Sequence, residues 1–191
     1  MRRGIGTGLI IALTGVLVIA FAGIAGGKAK TKTFSSGSIN EAFGSTTATI
    51  TEDIDLNKKR FKRSKVKDVD VGVRISHTYN NDIDLFLTAP NGRSVGLSSD
   101  NGADNDDDYG SGSDSCDGTK TVFNDEAETP IDEALSPFNG QFLPEERLST
   151  LDGSKVKGTW RLTVADDFAV LDDGVLHCFD LKVKYKKKKR K

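Results

Sequence analysis

The sequence predicts an all-β fold, a β-sandwich or jelly roll, preceded by an N-terminal signal segment. Apolar and polar residues alternate along several short segments, and this period of two is typical of half-buried strands. Turns rich in Gly, Asp and Asn separate these segments, and no window shows the apolar period of an amphipathic helix. With 191 residues, 36% of them hydrophobic, the chain is long enough for one domain with a substantial core.

The clearest strand prediction covers residues 69–79, where Val, Ile, His and Tyr occupy every second position. Residues 84–89 and 94–97 flank a Pro-Asn-Gly turn and predict a β-hairpin, in which Gly92 supplies a positive φ. Trp160 lies in phase with apolar neighbours, so we expect it in the core. Further strands are expected at 46–50, 54–56, 121–123, 159–165 and 175–185, the last with a bulge where its alternation breaks.

The N-terminus has the pattern of a secretory signal at residues 1–27. Arg2 and Arg3 precede an uncharged segment, 5–27, which ends in small residues. An uncleaved membrane anchor is the alternative, and it would be the protein's only membrane contact. We therefore expect a secreted or cell-surface protein, with a linker at 28–44, a folded domain at 45–185 and a basic tail at 186–191.

Export bears on the two cysteines, because disulfides persist outside the cytosol. We predict a Cys116–Cys178 disulfide; two buried thiols that never meet are the alternative. Closing a loop of this length stabilises a protein by roughly 4 kcal/mol in the chain-entropy view. With only 2 Cys and 2 His, the chain is neither a disulfide-dense mini-protein nor a carrier of a four-thiolate zinc site.

The charges nearly balance, with 27 basic and 28 acidic residues, but they are unevenly placed. Two basic runs lie at 58–67 and 186–191. A solvated loop and a solubilising tail are the favoured interpretations, and contact of the tail with the cell envelope is the alternative. Aromatic residues do not interleave the tail beyond Tyr185, so we expect no nucleic-acid partner.

An acidic segment is the most distinctive chemical feature. Residues 94–119 contain seven aspartates and no Lys or Arg, and dense carboxylates of this kind suit Ca²⁺. The EF-hand template fails, because Tyr109 stands where that template needs glycine. A merely solvated loop is the alternative. Calcium is the only cofactor that the sequence suggests, and its expected ligands are Asp104, Asp106, Asp107 and Asp108.

No catalytic residue is predicted. Residues 92–96 spell Gly-x-Ser-x-Gly, but they lie in a hairpin rather than in the strand-to-helix turn which that motif requires. His77 is in phase with Ile75 and Tyr79, so we expect a hydrogen-bonded structural histidine. His177 receives no role. A self-sufficient hydrolase is the disfavoured alternative.

Residues 158–166 read Gly-Thr-Trp-Arg-Leu-Thr-Val-Ala-Asp, and further segments of distinctive sequence lie, in order, at 73–79, 84–92, 121–127, 140–144, 148–153 and 174–181. Together these segments resemble the P domain (P/Homo B domain) that follows the catalytic domain in kexin- and furin-like proprotein convertases, which has a Gly-Thr-Trp-x-Leu-x-Val-x-Asp strand. The sequence departs from the family pattern at Asn124, Leu151 and Phe179, where Asp, Phe and Trp are usual.

This resemblance implies a jelly-roll β-sandwich of about eight strands and a non-catalytic role. In convertases the P domain packs against a subtilisin-like serine protease domain, stabilises it, and influences its calcium and pH dependence. The chain contains no such catalytic domain, so the resemblance implies an exported, stand-alone module that binds a protease or a surface protein. The alternative is a calcium-dependent cell-envelope or adhesin-like surface protein.

Overall fold

A computed structural model describes residues 28–102 and 108–188. Within them the chain forms two β-sheets, and the predicted all-β sandwich is confirmed. The strands are β1 (Lys30–Ser35), β2 (Glu41–Gly44), β3 (Thr49–Asp55), β4 (Ser64–His77), β5 (Ile83–Thr88), β6 (Ser94–Ser98), β7 (Thr121–Phe123), β8 (Gly140–Phe142), β9 (Thr159–Asp166) and β10 (Asp173–Lys187).

The first sheet has the strand order β1-β10-β4-β7-β8, and β2 also pairs with β10. The second sheet has the order β3-β9-β5-β6. All neighbouring strands are antiparallel except β7 and β8, which run parallel. The long strands β4 and β10 pair along almost their whole length and form the centre of the first sheet.

The core lies between the two sheets and follows the predicted alternation. Val71, Val73 and Ile75 of β4 are fully buried, as is Trp160 of β9. The Trp160 indole N–H donates to the backbone oxygen of Val156 at 3.1 Å, so its polar atom is satisfied inside the core. β9 buries alternate side chains, whereas the middle of β4 is buried on both faces.

Residues 28–44 are not the linker that composition predicts. They form β1 and β2, which pair with β10, and so raise the strand number from the expected eight to ten. β1 is exposed along most of its length, so it has no apolar alternation to reveal it. Its pairing depends on backbone groups that β10 offers at its edge.

Two other predicted details are present. Gly92 has φ of 82° in the turn between β5 and β6. β10 is bulged between Leu176 and Cys178, and a second irregularity precedes Tyr185. The basic tail begins within β10, since this strand continues to Lys187.

Helical structure in the described residues is limited to short 3₁₀ turns at Lys59–Phe61, Asn80–Asp82, Ile131–Glu133 and Leu148–Leu151. No helix there has the length and apolar character needed to span a membrane. The N-terminal segment 1–27 lies outside the described residues, so its signal or anchor role stays a prediction.

Candidate interaction site

One end of the sandwich carries a cluster of exposed apolar side chains on the β9–β10 connection and the segment after β4. We call it the apolar end, and its residues are Tyr79, Phe168, Val170 and Leu171. Phe168 is 55% exposed, Val170 83% and Leu171 75%. Tyr79, Phe168 and Leu171 line one surface cavity of about 490 Å³. Clustered apolar exposure of this kind marks interaction sites.

Hydrogen bonds hold the β9–β10 connection in one conformation. The Asp166 carboxylate accepts the backbone N–H of Phe168 at 2.9 Å, and its second oxygen lies 3.2 Å from His77 Nε2. The backbone N–H of Asp167 donates to the Asp82 carbonyl at 2.8 Å, and that of Leu171 to the Phe168 carbonyl at 3.1 Å. The apolar side chains therefore project from a preorganised turn.

His77 packs beneath this turn, where it is buried and hydrogen-bonded as expected of a structural histidine. It is 5% exposed and its ring stacks on Phe43, with centroids 5.4 Å apart. Its Nδ1 lies 2.7 Å from the Tyr79 carbonyl oxygen, while Nε2 faces the Asp166 carboxylate. A Cβ added to Gly174 would lie 2.4 Å from both rings, so glycine is needed there.

Acidic side chains surround the apolar end. Partial burial, with the nearby carboxylates of Asp172 and Asp166, raises the pKa of Asp82. Partial burial and neighbouring carboxylates also raise the pKa of Asp167. Thr78 donates its hydroxyl to Asp172 at 3.0 Å, which fixes one carboxylate of this rim. The rim therefore favours a partner that brings positive charge.

The predicted disulfide is present, with the Cα atoms of Cys116 and Cys178 5.0 Å apart. It ties the segment after β6 to the outer face of the first sheet. Tyr109 adds a second tie, because it exchanges two backbone hydrogen bonds of 3.0 Å with Ile75. The two ties place residues 108–120 over β4 and β10.

Of the four predicted calcium ligands, Asp108 lies within the described residues. Its carboxylate is 2.9 Å from Arg74 Nη1, and it also accepts the backbone N–H of His77 at 3.3 Å. Arg74 is buried and pairs with Asp114 as well, at 3.0 Å. Asp108 therefore already has a cationic partner. Asp104, Asp106 and Asp107 lie outside the described residues, so the calcium site stays a prediction.

His177, which received no role from the sequence, is buried and links two more accessible polar side chains. Its Nδ1 is 2.7 Å from Asn40 Oδ1, an acceptor, so this nitrogen donates. Its Nε2 then accepts from the Ser76 hydroxyl at 2.7 Å when the ring is neutral. These contacts link β4 and β10 to the β1–β2 connection. Residues so far apart in sequence carry no local signal of such a contact.

Two solved structures from Aeromonas sobria resemble this fold. One is a serine protease in complex with its chaperone, at 14% identity and a TM-score of 0.44; the match covers 85% of this chain and 28% of that chain. The other is the serine protease of the same organism, at 16% identity and a TM-score of 0.43, with coverage of 83% and 27%. This chain thus spans little more than a quarter of those chains. No curated protein matches it by sequence.

The family model described as the proprotein convertase P-domain matches residues 66–183, which is more than half of the chain. The matched segment starts in β4 and ends in β10, and it includes the core Trp160, the disulfide and the apolar end. The resemblance seen in the ordered sequence segments is therefore confirmed, and the chain belongs to the proprotein convertase P-domain family.

Proposed function

We propose that this protein is an exported, stand-alone P domain which binds and stabilises a subtilisin-like serine protease through its apolar end. The observation that carries the proposal is the exposure of Phe168, Val170 and Leu171 on a hydrogen-bonded turn. Exposing these side chains to water in the free protein is unfavourable, and a partner that covers them removes that cost.

Family membership supports the same role. The P domain is a non-catalytic module of a family associated with subtilisin-like proteases. A binding module of this kind contributes stability by mass action, because a partner that binds only the folded protease shifts that protease away from its unfolded state.

The acidic rim around the apolar end supports a partner surface of complementary charge. A few well-packed side chains at the centre of an interface contribute most of the affinity, and charges at the edge set orientation and association rate. We expect an apolar pocket on the protease with Lys or Arg beside it, facing Asp82 and Asp167.

Export is part of the proposal. The Cys116–Cys178 disulfide supports it, because such bridges persist in oxidising compartments. The basic and then apolar sequence of residues 1–27 supports it independently. We therefore propose a secreted or cell-surface location.

The test mixes the full chain with a subtilisin-like catalytic domain from the same organism and measures the affinity and the protease melting temperature. The double variant Phe168→Ser/Leu171→Ser should weaken binding by about 10- to 100-fold, the range for two central apolar contacts. Leu135→Ser is the matched control, because Leu135 is 84% exposed but lies in the β7–β8 connection.

Two results would contradict the proposal. One is a protease whose melting temperature and activity are the same with and without the wild-type chain. The other is an equal loss of binding in Leu135→Ser and in the double variant, which would move the interface away from the apolar end.

A further inference from the structure

The end of the sandwich opposite the apolar end is strongly basic. The sequence has separate basic runs, but strand pairing joins them: Lys65 lies opposite Lys186, Ser64 lies opposite Lys187, and the Lys188 N–H donates to the Arg63 carbonyl at 2.9 Å. We call this surface the basic end; it comprises residues 58–65, Lys155, 186–188 and Lys30. The sequence continues past 188 with three more basic residues.

Three lysines lie side by side at the centre of the basic end. Lys65 is opposite Lys186 on one neighbouring strand, and it forms a bridge to Lys155 on its other side. Like charges placed directly opposite each other across strands are destabilising. An anion that lies against all three would relieve this repulsion.

Carboxylates do not neutralise these cations within the part of the chain that the structure describes. Elsewhere in that part, Arg74, Lys120, Arg161 and Lys182 each form an ion pair with an aspartate. In residues 28–102 and 108–188, no such pair involves Lys65, Lys155 or the residues 186–188. The basic end is thus open to an external anionic partner.

The course of the chain indicates which partner. The described part begins at Lys28, and Lys30 pairs with Tyr185 at the basic end. Residues 5–27, which directly precede this point, contain no charged side chain and are rich in Leu, Ile, Val and Ala. An apolar segment of this kind next to a polybasic surface is the combination that anionic membranes attract.

We propose that the basic end docks on the anionic phospholipid headgroups of a membrane, with Lys65, Lys155 and Lys186 at the centre of the contact. The contact neutralises the lysine row and falls with rising salt, because it is electrostatic and near the surface. It is independent of the protease proposed above, since the two surfaces share no residue.

The experiment measures partition of the full chain onto vesicles of phosphatidylcholine, and onto vesicles of phosphatidylcholine and phosphatidylglycerol in equal parts. The ratio of the two removes any contribution of the apolar segment, which both vesicles accept. We expect wild type to prefer the anionic vesicles. In the triple variant Lys65→Gln/Lys155→Gln/Lys186→Gln, the ratio of partition onto anionic and neutral vesicles should fall by about fivefold for each cation removed.

Arg93→Gln is the control, because Arg93 is exposed in the turn between β5 and β6, at the same end of the sandwich but on the second sheet and outside the lysine row. It should keep the wild-type preference. Thermal melts establish folding, and the triple variant should melt no lower than wild type because repulsion has been removed.

Equal preference in wild type and the triple variant would overturn the proposal, as would an equal loss in Arg93→Gln. A third result would overturn the lipid assignment: the triple substitution abolishes capture of the chain by soluble polyphosphate but leaves vesicle partition unchanged. A fall in anionic preference that is confined to the triple variant, together with a difference from wild type that shrinks as the salt concentration rises, supports docking on lipid.

Discussion

Gly174 shows how tightly one residue is constrained at the apolar end. It lies under the stacked rings of Phe43 and His77, and its φ is not in the left-handed region. Space, rather than backbone conformation, is therefore what requires glycine. His77 in turn contacts the Asp166 carboxylate, which accepts the backbone N–H of Phe168 in the β9–β10 turn.

We expect Gly174→Ala to lower the free energy of unfolding by about 2–3 kcal/mol, in the upper part of the range for overpacked sites. Gly96→Ala is the matched control, since a Cβ there would meet only the flexible Glu146 side chain at 3.7 Å. Urea denaturation of both variants measures the difference. Equal destabilisation by Gly174→Ala and Gly96→Ala would contradict this expectation, because it would mean that the rings of Phe43 and His77 move aside without a loss of stability.

His177 responds to pH through its burial. Burial lowers its pKa from the ordinary 6.5; the Asp114 carboxylate opposes this shift and the Arg74 guanidinium adds to it. The unfolded chain therefore binds the proton more readily than the folded one. Stability contributed by the neutral ring is complete above the unfolded pKa and is lost as the pH falls below it.

The free energy of unfolding should accordingly fall between about pH 7 and pH 5, and His177→Gln should flatten this slope. Urea denaturation at several pH values measures both. The raised pKa values of Asp68, Asp82 and Asp167 act in the opposite direction, but wild type and variant share them, so the difference between the two slopes reports His177. If the free energy of unfolding falls equally with pH in wild type and in His177→Gln, His177 is not the source of the pH dependence.

At the scale of elements, the β6–β7 connection combines a covalent anchor with an acidic sequence. The Cys116–Cys178 bridge holds its second half on β10, and Arg74 pairs with Asp108 near its middle. Its predicted calcium ligands also include Asp104, Asp106 and Asp107. If these aspartates bind calcium, the ion would stabilise the connection in addition to the disulfide.

Calcium titrated into the full chain should give saturable heat, and the melting temperature should be higher in calcium than in chelator. Asp104→Asn/Asp106→Asn should abolish both effects without changing the melt in chelator. No heat together with superimposable melts would demote the segment to a solvated loop whose charge is partly balanced by Arg74.

Elements with an apolar face could be predicted, and elements without one could not. The alternation in β4 and β9 identified strands, and the Pro-Asn-Gly turn identified the β5–β6 hairpin. β1 was missed because its residues are exposed and its stability comes from pairing with β10. The periodicity of apolar residues predicts which side chains are buried. It does not predict which strand has unpaired backbone groups at its edge.

At the scale of the whole molecule, the same limit applies to sites. The disulfide could be predicted because only two cysteines exist and export favours their pairing. The apolar end, the Ser76–His177–Asn40 chain and the lysine row could not, because each joins residues that only the folded topology brings together. Charge runs are visible in sequence, but their convergence on one end depends on β4–β10 pairing.

The fifteen-residue strand β10 connects the two ends directly. It starts beside the apolar turn and finishes among the basic residues, a span of about 45–50 Å for an extended strand of this length. A protease bound at one end would therefore stand clear of a lipid surface at the other. The proposed functions then occupy opposite ends of one rigid sheet.

This arrangement also sets the mechanical behaviour of the domain. β1 enters at the basic end and runs antiparallel to β10, from Lys30 opposite Tyr185 to Ser35 opposite Asp180. A tether pulling on Lys28 and a partner pulling on the β9–β10 turn would draw the two strands in opposite directions along their length. Their hydrogen bonds would then share the load in shear instead of breaking one by one.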